Sequence, residues 1–210
     1  MSNIINFANI DFASSSSGGS TSEYSDVDGM CYGNSGNTEE PTFTEFPKGW
    51  KFAPRSGRGC YCMFSYCCFL KTIPQFDTNK VTDFGNMFDE CESITTIPKL
   101  DTSNGTRFSY MFNNCYSLGT IPQLNTSKGT DFRYMVDDCK SLTTLGGFVG
   151  LSASLILSSS TKLTHDSLMN VINNLATVTS STTLTLGSTN LAKLTDEEKK
   201  IATDKGWTLA

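Results

Sequence analysis

Met87-Phe88-Asp89-Glu90-Cys91-Glu92-Ser93-Ile94-Thr95-Thr96-Ile97-Pro98-Lys99-Leu100-Asp101-Thr102-Ser103 is one unit of a pattern that returns every 24 residues. Met63-Phe64, Met87-Phe88, Met111-Phe112 and Met135-Val136 hold one phase, and Cys67, Cys91, Cys115 and Cys139 follow four residues after each Met. Leu70, Ile94, Leu118 and Leu142 come next, then Thr72, Thr96, Thr120 and Thr144, and then Ile73, Ile97, Ile121 and Leu145. Pro74, Pro98 and Pro122 close the Thr-Ile pair, with Gly146 in the fourth place, and Phe76, Leu100, Leu124 and Phe148 complete the set. A fixed period with apolar residues on fixed phases is the mark of a repeat architecture, because no unit this short buries its own Met, Phe, Cys and Leu.

Local chemistry within the unit sets its shape. The β-branched Thr-Ile pair favours an extended backbone, and the proline after it has no N–H to donate, so a strand of about four residues stops there. Asp77-Thr78, Asp101-Thr102 and Asn125-Thr126 have side chains that bond nearby amides and turn the chain. In the stretch from Phe84, Phe108 or Phe132 to the following Cys, apolar positions lie three and four apart, which predicts one or two helical turns. Stacking such units in register places neighbouring strands roughly 4.8 Å apart and passes each column of side chains along the stack.

These units resemble the leucine-rich repeats of BspA-like surface proteins, which also read M-F-x-x-C-x-S-L-T-x-I followed by an L-D-T-S turn. The resemblance covers about Cys60 to Phe148. It implies an α/β solenoid of the leucine-rich-repeat type, right-handed, with 24-residue coils, short parallel strands and short helical or irregular return segments. It also implies a role in surface attachment or recognition.

The flanks divide the chain further. Residues 1–20 combine an apolar peptide (Ile4, Ile5, Phe7, Ile10, Phe12) with a Ser/Gly linker, residues 21–45 are polar and acidic, and the solenoid is expected over 46–148. Residues 149–210 read as a cap of two strand-helix units and a final strand. Strands are expected at Leu155-Ile156-Leu157, Thr183-Leu184-Thr185-Leu186 and Trp207-Thr208-Leu209. Thr164 is an expected N-cap with Leu163 and Leu168 as a hydrophobic staple, Leu168, Val171, Ile172 and Leu175 make one apolar face, and Thr195 to Glu198 is a capping box by spacing. This tail is similar to those of repeat proteins encoded by tailed phages of gut bacteria.

Composition narrows the function classes. The chain has 210 residues, 16 Lys and Arg against 21 Asp and Glu, and a net charge of −5, with no basic stripe to draw nucleic acid. Its apolar runs fall far short of the roughly 20 residues that cross a bilayer, and Met1 to Phe7 lacks the basic and apolar regions of an export signal. The single histidine, His165, leaves no Ser-His-Asp or Cys-His pair to assemble. Asp89-Glu90, Asp137-Asp138 and Glu197-Glu198 have the residue types of acid/base pairs, but each falls in a polar turn or a first helical turn, where carboxylates suit the backbone dipole. No catalytic residue, metal site or cofactor is expected.

The eight cysteines raise two alternatives. Cys60, Cys62, Cys67 and Cys68 lie within nine residues, but their spacing lacks the paired CxxC knuckles of a zinc site. Cys67 also shares its phase with Cys91, Cys115 and Cys139, so packing is the preferred reading, with a disulfide involving Cys31, Cys60, Cys62 or Cys68 left open. Asp77, Asp101 and Asn125 carry oxygen atoms suited to calcium, yet the Asn in the third unit favours backbone capping.

A candidate ligand-binding surface is the strand face, Lys71, Thr72, Thr95, Thr96, Thr120, Thr143 and Thr144, where hydroxyls bond sugars or protein backbone at little ordering cost. The same threonines also suit β-strand propensity alone. The leading expectation is a non-enzymatic phage virion protein, a head or tail fibre or decoration protein exposed at the virion surface. Its N-terminal peptide holds other virion proteins, the chain is a homo-oligomer, and the repeat meets a host glycan or surface protein. The alternative is a bacterial cell-surface leucine-rich-repeat adhesin.

Overall fold

The structure, a computed structural model, describes Glu45 and residues 59–210. The expected anchoring residues Ile4, Ile5, Phe7, Ile10 and Phe12, the linker, the polar segment before Glu45 and positions 46–58 lie outside the described residues.

Successive units pair in parallel, each with its equivalent 24 residues on. Single bridges join Asp83 to Arg107, Arg107 to Asp131 and Thr96 to Thr120. Where the bridges lengthen they become strands: β1 (Thr120–Ile121) pairs with β3 (Thr144–Leu145), and β2 (Leu124–Asn125) with β4 (Phe148–Val149). The expected four-residue strands are thus two residues long at most in this region. The same spacing carries past the last clear unit, where Leu151 bridges Leu175.

The helical turns expected before each cysteine are absent; that segment is a chain of tight turns. Positive φ occurs at Asn86 and Glu90, at Tyr110 and Asn114, and at Tyr134 and Asp138, two left-handed residues per unit at a spacing of four. Alternate amides take different partners. Met87, Asp89 and Cys91 donate back to Phe84, Asn86 and Phe88, while Phe84, Asn86, Phe88 and Glu90 donate forward to Arg107, Ser109, Met111 and Asn113 of the next unit. A left-handed non-glycine residue costs on the order of 1 kcal/mol. The forward bonds satisfy amides that would otherwise be buried without a partner, and this offsets the cost.

The core is made of columns. Phe64, Phe88 and Phe112 stack with ring centroids 5.4 and 5.6 Å apart, and Phe84, Phe108 and Phe132 with 5.5 and 5.4 Å, all within a few degrees of parallel. Offset stacking of this kind adds about 0.5–1.5 kcal/mol per pair beyond the area buried. The cysteine column has its own logic. Cys91, Cys115 and Cys139 are fully buried, and their thiols donate to the carbonyls of Phe64, Phe88 and Phe112, at 3.0, 3.1 and 3.1 Å. A side chain there must be small, apolar enough for burial and able to donate, and cysteine combines all three.

Beyond the units, β5 (Leu155–Ile156), β6 (Thr182–Thr185) and β7 (Trp207–Leu209) form a parallel sheet in that order. Three helices accompany it: α1 (His165–Asn174), α2 (Gly187–Leu191) and α3 (Asp196–Asp204). Thr164 caps α1 by accepting from the Ser167 amide, and α3 opens with a reciprocal capping box between Thr195 and Glu198. Leu168, Val171, Ile172 and Leu175 are all buried, so α1 covers the last units with its apolar side. Lys205 donates to the Ile172 and Asn173 carbonyls at the end of α1, a cation at the negative end of the helix, and Trp207 Nε1 donates to Ala176. The five-residue helix α2 has no counterpart in the sequence expectations.

Candidate functional site: a strand face and a cleft behind the prolines

The structure places the predicted strand-face residues side by side and exposed. Lys71, Thr72, Thr95, Thr96, Thr120, Thr143 and Thr144 lie in two adjacent columns, with Gly119 between Thr95 and Thr143. The inner column is tied by backbone: Thr95 N donates to Lys71 O, Gly119 N to Thr95 O, and Thr143 N to Gly119 O. Thr95 and Thr143 also turn their hydroxyls onto those carbonyls. In the outer column the Thr72, Thr96 and Thr120 hydroxyls have no hydrogen-bond partner among the described residues, and only Thr144 meets a neighbour, the Thr143 hydroxyl at 3.4 Å. This leaves three evenly spaced hydroxyls on a flat edge.

The face continues into the cap. Thr164 N donates to Thr143 O, and the adjacent His165 sits 2.8 Å from Glu198 through Nε2. Hydrogen bonds to the Glu198 and Asp166 carboxylates raise the His165 pKa, while the Thr195 amide and His165 lower that of Glu198. His165 is thus an exposed partner of two carboxylates.

Asp89-Glu90 and Asp137-Asp138 lie in the turn column, and Glu197-Glu198 in the first turn of α3. Asp89 accepts from Asn113 and Asn86, Glu90 accepts from Asn114, and Asp137 accepts from Ser159. The Asn113-Asn114 unit therefore separates Asp89-Glu90 from Asp137-Asp138, and amide donors occupy the space where two acidic coils would repel. Asp77, Asp101 and Asn125 each accept the amide two residues on, closing Asx turns. Among the described residues no group of three or more His, Cys, Asp or Glu side chains is arranged to hold a metal ion.

The cysteine reading needs one correction. Cys60, Cys62, Cys68, Cys91, Cys115 and Cys139 are free thiols, whereas Cys67, assigned to the packed thiol column, is disulfide-bonded. Every other described cysteine being free, its partner lies outside the described residues. Burial pushes the Cys60 and Cys139 thiols up to about 12 and raises those of Cys91 and Cys115 as well. These groups stay protonated and inert.

A second surface, absent from the sequence expectations, lies on the edge after the prolines. An open cleft of about 840 Å³ is walled by Gln75, Lys99 and Gln123 and by Asp77, Asp101 and Asn125, with Phe76 and Leu100 at its base. Its cause is the proline column. In the fourth unit Gly146 stands in the proline's place, so close to the preceding coil that a Cβ on it would lie 2.3 Å from Gln123 N. There the coils close, β2 pairs with β4, and Leu124 N donates to Gly147 O at 3.1 Å. Proline rings forbid that approach in the earlier units. Thr102 spans the gap instead, its hydroxyl donating to Asn125 O at 2.9 Å and accepting from Asn125 N at 2.8 Å, and Thr78 spans the preceding gap to Asp101 in the same way.

The separation has a second consequence. Gln75 donates its side-chain amide to Lys99 O at 2.7 Å, and the Leu100 N–H, equivalent to that of Leu124, has no partner among the described residues. Hydrogen bonds from the Ser103 side chain and amide hold Asp101 below the usual carboxylate range, so it is ionised at neutral pH. The signal for this cleft was visible as Pro74, Pro98 and Pro122 giving way to Gly146.

The fold and its surfaces define a tandem-repeat protein with fixed positions inside and variable ones outside. Residues 59–148 match the family model described as "Mycoplasma protein of unknown function, DUF285". That match spans the repeat from its first described residue to its last fixed position, Phe148. No curated protein and no solved structure matches the chain. Among the described residues no helix is long and apolar enough to cross a membrane.

Proposed function

We propose that the chain is a non-enzymatic recognition scaffold, a leucine-rich-repeat solenoid similar to the BspA-like surface proteins and capped by residues 149–210. In this reading it is a head or tail fibre or decoration protein of a phage, attached by the peptide containing Ile4, Ile5, Phe7, Ile10 and Phe12. It presents its repeat at the virion surface, as a homo-oligomer, to a host glycan or surface protein. The observation that supports it best is the division of labour in each unit: Met, Phe, Cys and Leu positions are buried in stacked columns, while Thr72, Thr96, Thr120 and Thr144 form one exposed row and Asp77 and Asp101 lie exposed in another. A rigid row of polar groups suits attachment because little ordering entropy is lost on contact. The test is deletion of residues 2–13 followed by purification of particles: the reading expects the protein to be lost from them, and continued incorporation would sink the anchoring claim.

A second reading is a bacterial cell-surface adhesin. It is favoured by the family match, whose description names a cellular source. Antibody raised against the repeat separates the two by labelling either particles or the surface of intact cells.

A further inference from the structure

We propose that the cleft behind the prolines, rather than the threonine face, is the ligand-binding site, and that its ligand is a short neutral oligosaccharide. This rests on the recognition reading above and names the site and the ligand class.

The wall groups decide the chemistry. Gln123 offers an amide that both donates and accepts, Gln75 offers its carbonyl and Asn125 its NH2 group, and Asp77 and Asp101 accept only, each with one carboxylate oxygen engaged by its own turn. Such groups bind paired hydroxyls, which donate and accept from neighbouring carbons. Two carboxylates against the single ammonium of Lys99 leave the cleft with a negative balance, which disfavours sugars that carry acid groups. The volume of about 840 Å³ lies within the usual range for ligand sites, about 300–1,000 Å³.

The unpaired Leu100 N–H is an independent pointer. Leu100 lines the cleft, and its N–H, unlike that of Leu124, meets no carbonyl of the next unit and is available to a ligand oxygen. An extended peptide fits less well. It needs a run of free backbone donors and acceptors, but Thr78 and Thr102 already engage Asp101 and Asn125, and the Gln75 side chain already covers Lys99 O. The cleft is a concave recess with buried Phe76 and Leu100 in its lining, and no such recess opens among the threonines.

The test is titration of the full-length, isotope-labelled protein with neutral di- and trisaccharides, with sialyllactose as the acidic comparison, followed by amide NMR and calorimetry. The proposal expects shifts at the Leu100 amide and the Gln75 and Gln123 side-chain amides. It also expects affinity to fall at least about tenfold in a Lys99→Ala, Gln123→Ala double variant and to stay unchanged in a Thr96→Ala, Thr120→Ala variant. Both pairs are solvent-facing, so melting temperatures near that of the parent show that the fold is intact. Saccharide shifts confined to Thr96 and Thr120 would overturn the cleft. Preference for sialyllactose, or no binding across the panel, would overturn the ligand class. If particles or cells still attach to the host in that last case, the recognition reading stands without this site.

Discussion

Raising the pH should unfold this protein through its buried free cysteines, and the size of the effect follows from burial. Cys60, Cys91, Cys115 and Cys139 are buried, and burial raises all four pKa values, to about 12 for Cys60 and Cys139. An unfolded thiol titrates near 8.5–9, so between that value and the folded one the native state holds protons that the unfolded state has released. Stability changes with pH in proportion to the protons bound unfolded minus those bound folded, which is negative here. The contribution is therefore complete below about pH 8.5 and falls as pH rises toward the folded value. Each thiol loses about 1.4 kcal/mol per pH unit. At pH 10 that is about 1.5–2 kcal/mol for one thiol and about 6–8 kcal/mol for four, comparable to the 5–15 kcal/mol that holds a typical domain together. The assay is urea unfolding followed by circular dichroism from pH 7 to 10.5, under argon and with the same excess of reductant at every pH, so that thiol–disulfide exchange at Cys67 adds nothing to the profile. A Cys115→Ala variant should start less stable but lose stability about one quarter more slowly with pH. A flat profile to pH 10, or a slope that Cys115→Ala leaves unchanged, would refute the assignment of buried protonated thiols.

Three further outcomes follow from the same columns. Phe108, stacked on both Phe84 and Phe132, should cost more to replace by Leu than Phe132, for which one stacked ring is seen, by about 0.5–1.5 kcal/mol in denaturant unfolding. Thr102→Val removes the hydroxyl that serves both Asn125 N and Asn125 O, and should destabilise by about 1–3 kcal/mol, with faster hydrogen exchange at Asn125. Glu198→Gln should lower the His165 pKa read by NMR, because the Glu198 hydrogen bond is the largest cause of its rise.

The sequence made the columns legible because each is a side-chain identity on a constant phase: the Phe, Met, Cys and Leu positions are buried where the period put them, and Thr164 and Thr195 cap their helices as their spacing implied. The turns were not legible. Apolar spacing of three and four suits a helix and equally suits consecutive four-residue turns, and only the forward bonds to the next unit favour the left-handed residues at Asn86, Glu90, Tyr110 and Asn114. Cys67 was misassigned because its phase is that of the thiol column, while its bonding depends on chain beyond the repeat. The strand-face threonines were found as a row, but the cleft depends on how far apart proline holds two backbones. That distance emerges from contact between units, and Gly146 exposes it by contrast.

If the units are interchangeable and stack in a 24-residue register, one of them can be cut out without breaking the stack. Deleting residues 104–127 joins Ser103 to Lys128 in phase, whereas deleting residues 104–115 removes half a period. The account predicts that the first variant folds and unfolds cooperatively, with Phe84 stacking on Phe132 in aromatic NMR contacts, and that the second does not fold. Loss of structure in the in-phase deletion, or equal behaviour of the two, would contradict it.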